Sequence, residues 1–139
     1  MARDEEVRLP VASHADIVTA RSEGRRLAAE MGFSLTEIVL IITAISELAR
    51  NIVQYAGRGE ITLRHEGSNP HPGLVVIASD SGPGIADVRR ALMDGYSTSG
   101  GLGMGLPGVK RLMDEFAIES EIEKGTTITA KKRLWRHKR

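Results

Sequence analysis

Glu47 and Asn51 stand four residues apart in ISELARNIVQYA, so on a helix both side chains point the same way. Asparagine is a poor helix-interior residue unless its amide is used. A carboxylate beside a hard oxygen ligand suits a magnesium site with a general base next to it. Asp80 ends an apolar run and is followed by Ser81-Gly82-Pro83-Gly84-Ile85. A carboxylate at a strand end can accept a hydrogen bond from a base amine, and the two glycines let backbone come close to a ligand. Residues 97–108, STSGGLGMGLPG, offer many free backbone amides just before a helix N-terminus, which is a physical anion site. Each feature alone also has a bland reading: an exposed polar pair, a turn after a strand, a flexible loop. Gly103 to Gly108 spells GxGxxG with Glu123 about 20 residues beyond its start, but that motif must follow a strand. Here a polar loop precedes it, so a Rossmann reading is weak. No GxxxxGK[ST] run exists, which excludes a P-loop protein.

The elements that must position these groups follow from periodicity. Ser34 to Ala56 reads as one long helix, opened by a Ser34/Glu37 capping box and closed by Gly57. Ile38, Ile41, Ile42, Ile45, Leu48, Ala49 and Ile52 share one face, with Thr43, Glu47, Arg50, Asn51 and Gln54 roughly opposite. From Ile38 to Ile42 the helix is apolar all round, which predicts burial on every side. The polar half then forms a cluster at the rim of a core. Upstream, Glu6 to Val11 reads as an edge strand because of Pro10. A Ser13/Asp16 capping box opens a helix whose stripe is Ile17, Ala20, Gly24, Leu27, Ala28 and Met31, ending at Gly32. Downstream, Glu60 to Glu66 alternates as a half-buried strand, residues 67–73 form a turn, and Leu74 to Ser79 is a central strand. A short helix from about Ala86 to Met93 and a loop from Gly95 to Gly105 precede a helix over about Pro107 to Phe116. Ala117 to Ile122 and Thr126 to Arg133 close the chain as a hairpin. The order β-α-α-β-β-α-α-β-β predicts a two-layer α/β sandwich, a mixed, mostly antiparallel sheet with helices on one face.

With 139 residues the chain reads as a single domain, 1–139, its core about 7–133. No cysteine is present, which rules out a disulfide framework or thiolate zinc site, and four scattered histidines lack metal-ligand spacing. No apolar run approaches the roughly 20 residues of a membrane span. The N-terminal stretch MARDEEVRLP lacks a signal-peptide apolar core, so a cytoplasmic location is expected. The net charge of +1 hides an asymmetry: residues 131–139 hold six basic side chains and no acid, leaving 13 basic against 18 acidic elsewhere. A nucleic-acid arm is one reading of that tail. A solvated tail is favoured, since no binding motif accompanies it and Trp135 can simply pack it onto the domain.

Together, and in this order, ELARN, DSGPGI and GLGMGL resemble the N, G1 and G2 boxes of the gyrase, Hsp90, histidine-kinase and MutL (GHKL, Bergerat-fold) ATP-binding superfamily. Gly125-Thr126-Thr127 is similar to its final box. IVTAISELARNIVQYAGRGEI and GYSTSGGLGMGLPGVKRLMDEF narrow the resemblance to RsbT-like serine/threonine-protein kinases, with RsbW- and SpoIIAB-like anti-sigma kinases diverging more around the lid. The resemblance implies ATP and magnesium as cofactors. It implies Asn51 as magnesium ligand, Glu47 as the catalytic base, and Arg50 as a contact to phosphate or partner. Asp80 would read the adenine amine, with Gly82, Gly84 and Ile85 shaping the base pocket. Gly101, Gly103 and Gly105 would form the lid, with Thr98, Leu102, Met104 and Leu106 among its nucleotide contacts, and Thr127 would sit behind the adenine. The implied partners are a STAS-domain substrate of the RsbS/RsbR type and a PP2C-type phosphatase of the RsbU type, with no membrane or nucleic acid. Rival expectations are an anti-sigma kinase that binds a sigma factor directly and a nucleotide-gated interaction module with little transferase activity. The chain is expected to act as a monomer between partners.

Overall fold

The computed structural model describes residues 6–67, 71–85, 92 and 105–135. Strand β1 (Glu6–Val11) leads into helices α1 (His14–Met31) and α2 (Leu35–Asn51), and α2 runs on into a π-helical segment, Ile52–Ala56. Strands β2 (Gly59–Glu66) and β3 (Gly73–Asp80) follow, then α3 (Gly105–Leu112), β4 (Glu115–Glu121) and β5 (Gly125–Arg133). The helix expected over Ala86 to Met93 lies outside the described residues.

Both anticipated caps form. Ser34 Oγ accepts from Glu37 N at 3.1 Å, and the Glu37 carboxylate accepts from Ser34 N at 2.9 Å. Ser13 Oγ accepts from Asp16 N, but the Asp16 carboxylate reaches back to Ala12 N at 2.8 Å rather than to Ser13. The α1 stripe buries all six expected residues, and Gly32 ends the helix at φ 97°. On α2, Ile41, Ile45 and Leu48 are fully buried. Each such side chain contributes roughly 1.5–3 kcal/mol, against about 1 kcal/mol for a cap, so packing rather than capping holds the helix in place. Ser34→Ala is accordingly expected to lower stability by only about 1 kcal/mol in urea denaturation, with the cooperativity unchanged.

Three expectations for α2 and its neighbours are corrected. The all-round apolar stretch Ile38 to Ile42 is not buried on every side: Val39 is 54% exposed. The last turn before Gly57 is π rather than α. The next helix begins at Gly105, two residues early, and stops at Leu112, because Asp114 N donates to Lys131 O and turns the chain into β4.

The sheet has the order β1-β2-β3-β5-β4, and all four pairings are antiparallel. The expected mixed character is absent among the described strands. β3 and β4 run in the same direction, yet β5 lies between them, so no parallel ladder forms. β1 is an edge strand, as Pro10 requires. Alternation places Ile61, Leu63, Val76, Ala78, Ile128 and Ala130 on one face, in the same core as α1 and α2. The basic stretch is only partly a tail. Lys131 pairs with Glu66 and Arg133 with Glu115, while Lys132 Nζ donates to Leu112 O at 2.8 Å. Trp135 packs on His71 with ring centroids 4.2 Å apart, and residues 136–139 lie outside the described set.

Candidate nucleotide site

Glu47 and Asn51 lie on the last turns of α2, anchored by Leu48 and Ile52, which bury to 2% exposure or less. Both polar residues are half-buried, at the core rim their helical phase predicts. The Glu47 side chain is only 11% exposed, and Arg50 Nη1 donates to its Oε1 at 2.5 Å. Arg50 is thus engaged with Glu47, one turn along the same helix. A carboxylate offers about four acceptor positions on two oxygens, so this bond orients the group without exhausting it. Asn51 is the last α-helical residue before the π segment. π turns concentrate at functional sites, where they shift the helical phase of the residues beyond them.

The π segment seats the helix end on the end of β3. A Cβ on Gly82 would stand 2.6 Å from Ala56 Cβ, so only glycine allows that loop to pass so close. Asp80 Oδ1 accepts from Gly82 N at 2.8 Å, which fixes the carboxylate at the strand terminus. The loop then crosses to the β4–β5 hairpin, where Glu123 N donates to Pro83 O at 2.7 Å. Gly84, at φ 82°, presses its Cα against the Glu121 backbone, where a Cβ would lie 2.7 Å from the carbonyl carbon. Ile85 N donates to Ser120 Oγ at 2.7 Å, and Ser120 Oγ stands 2.7 Å from Thr126 Oγ1.

Register decides which threonine belongs to this site. Asp80 pairs with Thr126, and Ser120 pairs with Thr126 from the other side. These residues share parity with Ala78, Ile118 and Ile128, so they lie on the helix-facing side. Thr127 pairs with Ser79 and Glu119 on the opposite face. Register therefore puts Thr126, not the expected Thr127, on the helix-facing side with Asp80, and Thr126 is buried where Thr127 is half-buried. A cleft of about 290 Å³ lies at this end of the sheet, lined by Asp80, Ser120 and Thr126 together with Glu119, Glu121, Lys124, Gly125 and Thr127. Thr126 and Ser120 are legible by alternation: counting back in twos from Ile128 reaches Thr126, and on from Ile118 reaches Ser120.

Of the expected lid, Thr98, Gly101, Leu102, Gly103 and Met104 lie outside the described residues. Gly105 opens α3 at φ 55°. Leu106 is 6% exposed and packs in the core, so it anchors the helix and can offer a ligand only its backbone amide. Among the described residues no group of three or more His, Asp or Glu side chains could hold a metal ion. No described helix is long and apolar enough to cross a membrane.

The family model for histidine kinase-, DNA gyrase B- and HSP90-like ATPases matches residues 36–136. The chain is 56% identical over 119 residues to the serine/threonine-protein kinase RsbT of Bacillus subtilis, covering 86% of this chain and 90% of that one. It is 31% identical over 106 residues to the anti-sigma F factor of Clostridium novyi, covering 73% and 74%. Among solved structures it resembles the RsbU and RsbW domains of a Mycobacterium tuberculosis protein, with a TM-score of 0.66 at 24% identity. That likeness covers 97% of this chain and 34% of the other. The SiaB–SiaC complex of Pseudomonas aeruginosa gives a TM-score of 0.60 at 12% identity, covering 95% and 91%. At such identities these two structures support the fold alone.

Proposed function

The chain belongs to the histidine kinase-, DNA gyrase B- and HSP90-like ATPase family and, within it, to the RsbT-like serine/threonine-protein kinases; on that premise we propose an ATP- and magnesium-dependent kinase that phosphorylates a serine or threonine of a STAS-domain protein. The observation that carries the reading is Glu47, nearly buried, oriented by Arg50 and one turn before Asn51. A nucleotide-gated binder needs a magnesium ligand but has no use for an oriented base beside it.

The donor set fits magnesium. Magnesium is held by few protein oxygens and several from phosphate and water, so one amide carbonyl, Asn51 Oδ1, suits the site without a carboxylate cluster. Bound there, the ion neutralises charge that builds on the phosphates. The rest falls to the chain's own residues. Asp80 accepts a hydrogen bond from the adenine amine, and Thr126 stands beside it in register. The backbone amides at the start of α3 face phosphate with the helix dipole behind them. Glu47 takes the proton from the acceptor hydroxyl as its oxygen bonds to the γ-phosphorus, while the bond to the β,γ-bridging oxygen breaks and ADP leaves. The acceptor residue is brought by a partner protein, after whose release the kinase activates a PP2C-type phosphatase.

Calorimetry with ATP is expected to show magnesium-dependent binding that Asn51→Ala weakens roughly tenfold to a hundredfold. Magnesium-independent binding with equal affinity in both proteins would overturn the assignment of Asn51. For the partner, incubation with labelled ATP and a STAS-domain antagonist should label a serine or threonine of the antagonist. A sigma factor recovered with the kinase from its native cell would instead favour the anti-sigma reading.

A further inference from the structure

Most apolar side chains of α2 turn inward. Ile41, Ile45 and Leu48 are fully buried, and Ile38, Ile42 and Ile52 are 7% exposed or less. Leu35 and Val39 break that pattern, at 81% and 54% exposure. Single exposed hydrophobics need no explanation, but two on successive turns of one helix make a patch. At 100° per residue Val39, Thr43, Glu47 and Arg50 fall within about 80° of one another, opposite the core face, and Leu35 flanks Val39. The apolar pair therefore shares a helix face with the base. Arg50 stands beyond the base on that face, with 41% of its side chain exposed. At about 1.5 Å of rise per residue, Val39 precedes Glu47 by about 12 Å and Leu35 by about 18 Å.

Glu47 dictates what must cover this face. A general base has to come within hydrogen-bond reach of the hydroxyl it deprotonates. An acceptor residue carried by a folded protein brings surface with it, and a specific interface covers about 800 Å² of each partner. A patch of that area centred on Glu47 has a radius of about 16 Å, which takes in Val39 and Arg50 and ends near Leu35. The Arg50 guanidinium has five N–H donors and gives one to Glu47, so it can hold a second carboxylate without leaving the first. We propose that the outward face of α2 from Leu35 to Arg50 docks the acceptor protein. That protein presents an apolar side chain to Leu35 and Val39, its hydroxyl to Glu47 and a carboxylate to Arg50. The proposal rests on the kinase reading above, and its experiment keeps the two apart.

Leu35→Gln and Val39→Gln combined remove the apolar anchor while keeping good helix formers at both positions. With a STAS-domain antagonist as acceptor, the KM for the antagonist is expected to rise roughly tenfold to a hundredfold, as for the loss of an interface hot spot. The kcat at saturating antagonist, the affinity for magnesium–ATP and the melting temperature should stay at their wild-type values, which a general loss of structure would not allow. An unchanged KM overturns the proposal. So does a wild-type dimer that the double variant turns into a monomer in sedimentation at unchanged KM, since the face would then belong to a second copy. The Arg50 contact is read by salt: KM should rise with ionic strength in the wild type and less steeply in Arg50→Gln. Parallel slopes overturn the acidic contact. Should the wild type transfer no phosphoryl group, the kinase reading fails on its own, and calorimetric binding of the antagonist to wild type and double variant still decides the surface. Equal affinities, or no binding to either protein, would overturn the docking face.

Discussion

Glu47→Gln is expected to reduce phosphoryl transfer roughly 10²- to 10⁴-fold while leaving ATP binding close to wild type. Glutamine is the informative replacement because its side-chain carbonyl can still accept from Arg50 Nη1, which preserves the helix-surface geometry. What it removes is the capacity to take a proton. Instability cannot account for such a loss. Arg50 is 41% exposed, and an ion pair with one partner so open to water contributes about 1 kcal/mol or less. A Glu47→Gln protein should therefore melt near wild type, bind magnesium–ATP, and leave a STAS-domain substrate unlabelled. Full labelling would mean that positioning alone drives the transfer, and Glu47 would lose its place as the base. Partner switching that persists without labelling would favour the nucleotide-gated module instead.

The parts of this molecule that the sequence makes legible are those governed by chemistry within a few residues. The Ser34 box, the six-residue stripe of α1 and the glycine stop at Gly32 depend on side chains one turn apart, and each stands where expected. Misreadings arise where distant strands decide. The helix after Gly105 stops at Leu112 because Asp114 bonds to Lys131, and Asp114 Oδ2 also accepts from Arg133 N at 2.7 Å. Nothing between Pro107 and Phe116 announces that. The π turn at Ile52–Ala56 likewise answers to packing on the start of β2, where a Cβ on Gly59 would lie 2.9 Å from Ile52 Cγ2. Thr127 is a different kind of case, since register sets it on the face away from Asp80. The two-residue period in ITAKK carries enough information to choose Thr126, but the match to the glycine-threonine box outweighs it. The three basic residues of β5 are misread for the opposite reason, since their partners Glu66, Leu112 and Glu115 come from three separate segments.

Gly125→Ala should leave little folded protein at physiological temperature, and Gly57→Ala shows why the cause is not φ alone. Both glycines have positive φ, 116° and 86°. At Gly57 nothing lies within 4 Å of an added Cβ, so the substitution carries only the backbone penalty, about 1–3 kcal/mol. At Gly125 the new carbon would overlap the Asp80 carbonyl oxygen and stand 2.8 Å from Ser81 Cα. Neither neighbour is the movable end of a side chain, so relief demands that β5 separate from β3. That separation breaks the Asp80–Thr126 pair at the end of a ladder running from Gly73–Arg133. We expect a cost above about 3 kcal/mol, a large part of the roughly 5–15 kcal/mol by which a domain of this size is stable. Urea denaturation of both variants measures the difference directly. If Gly125→Ala survives by displacing the hairpin, Asp80 and Thr126 fall out of register, and ATP binding should disappear while the helical circular dichroism remains. Equal midpoints for the two variants, with ATP binding intact in both, would show that β3 and β5 do not meet so closely at Gly125, and the base pocket would need to be rebuilt around another pair.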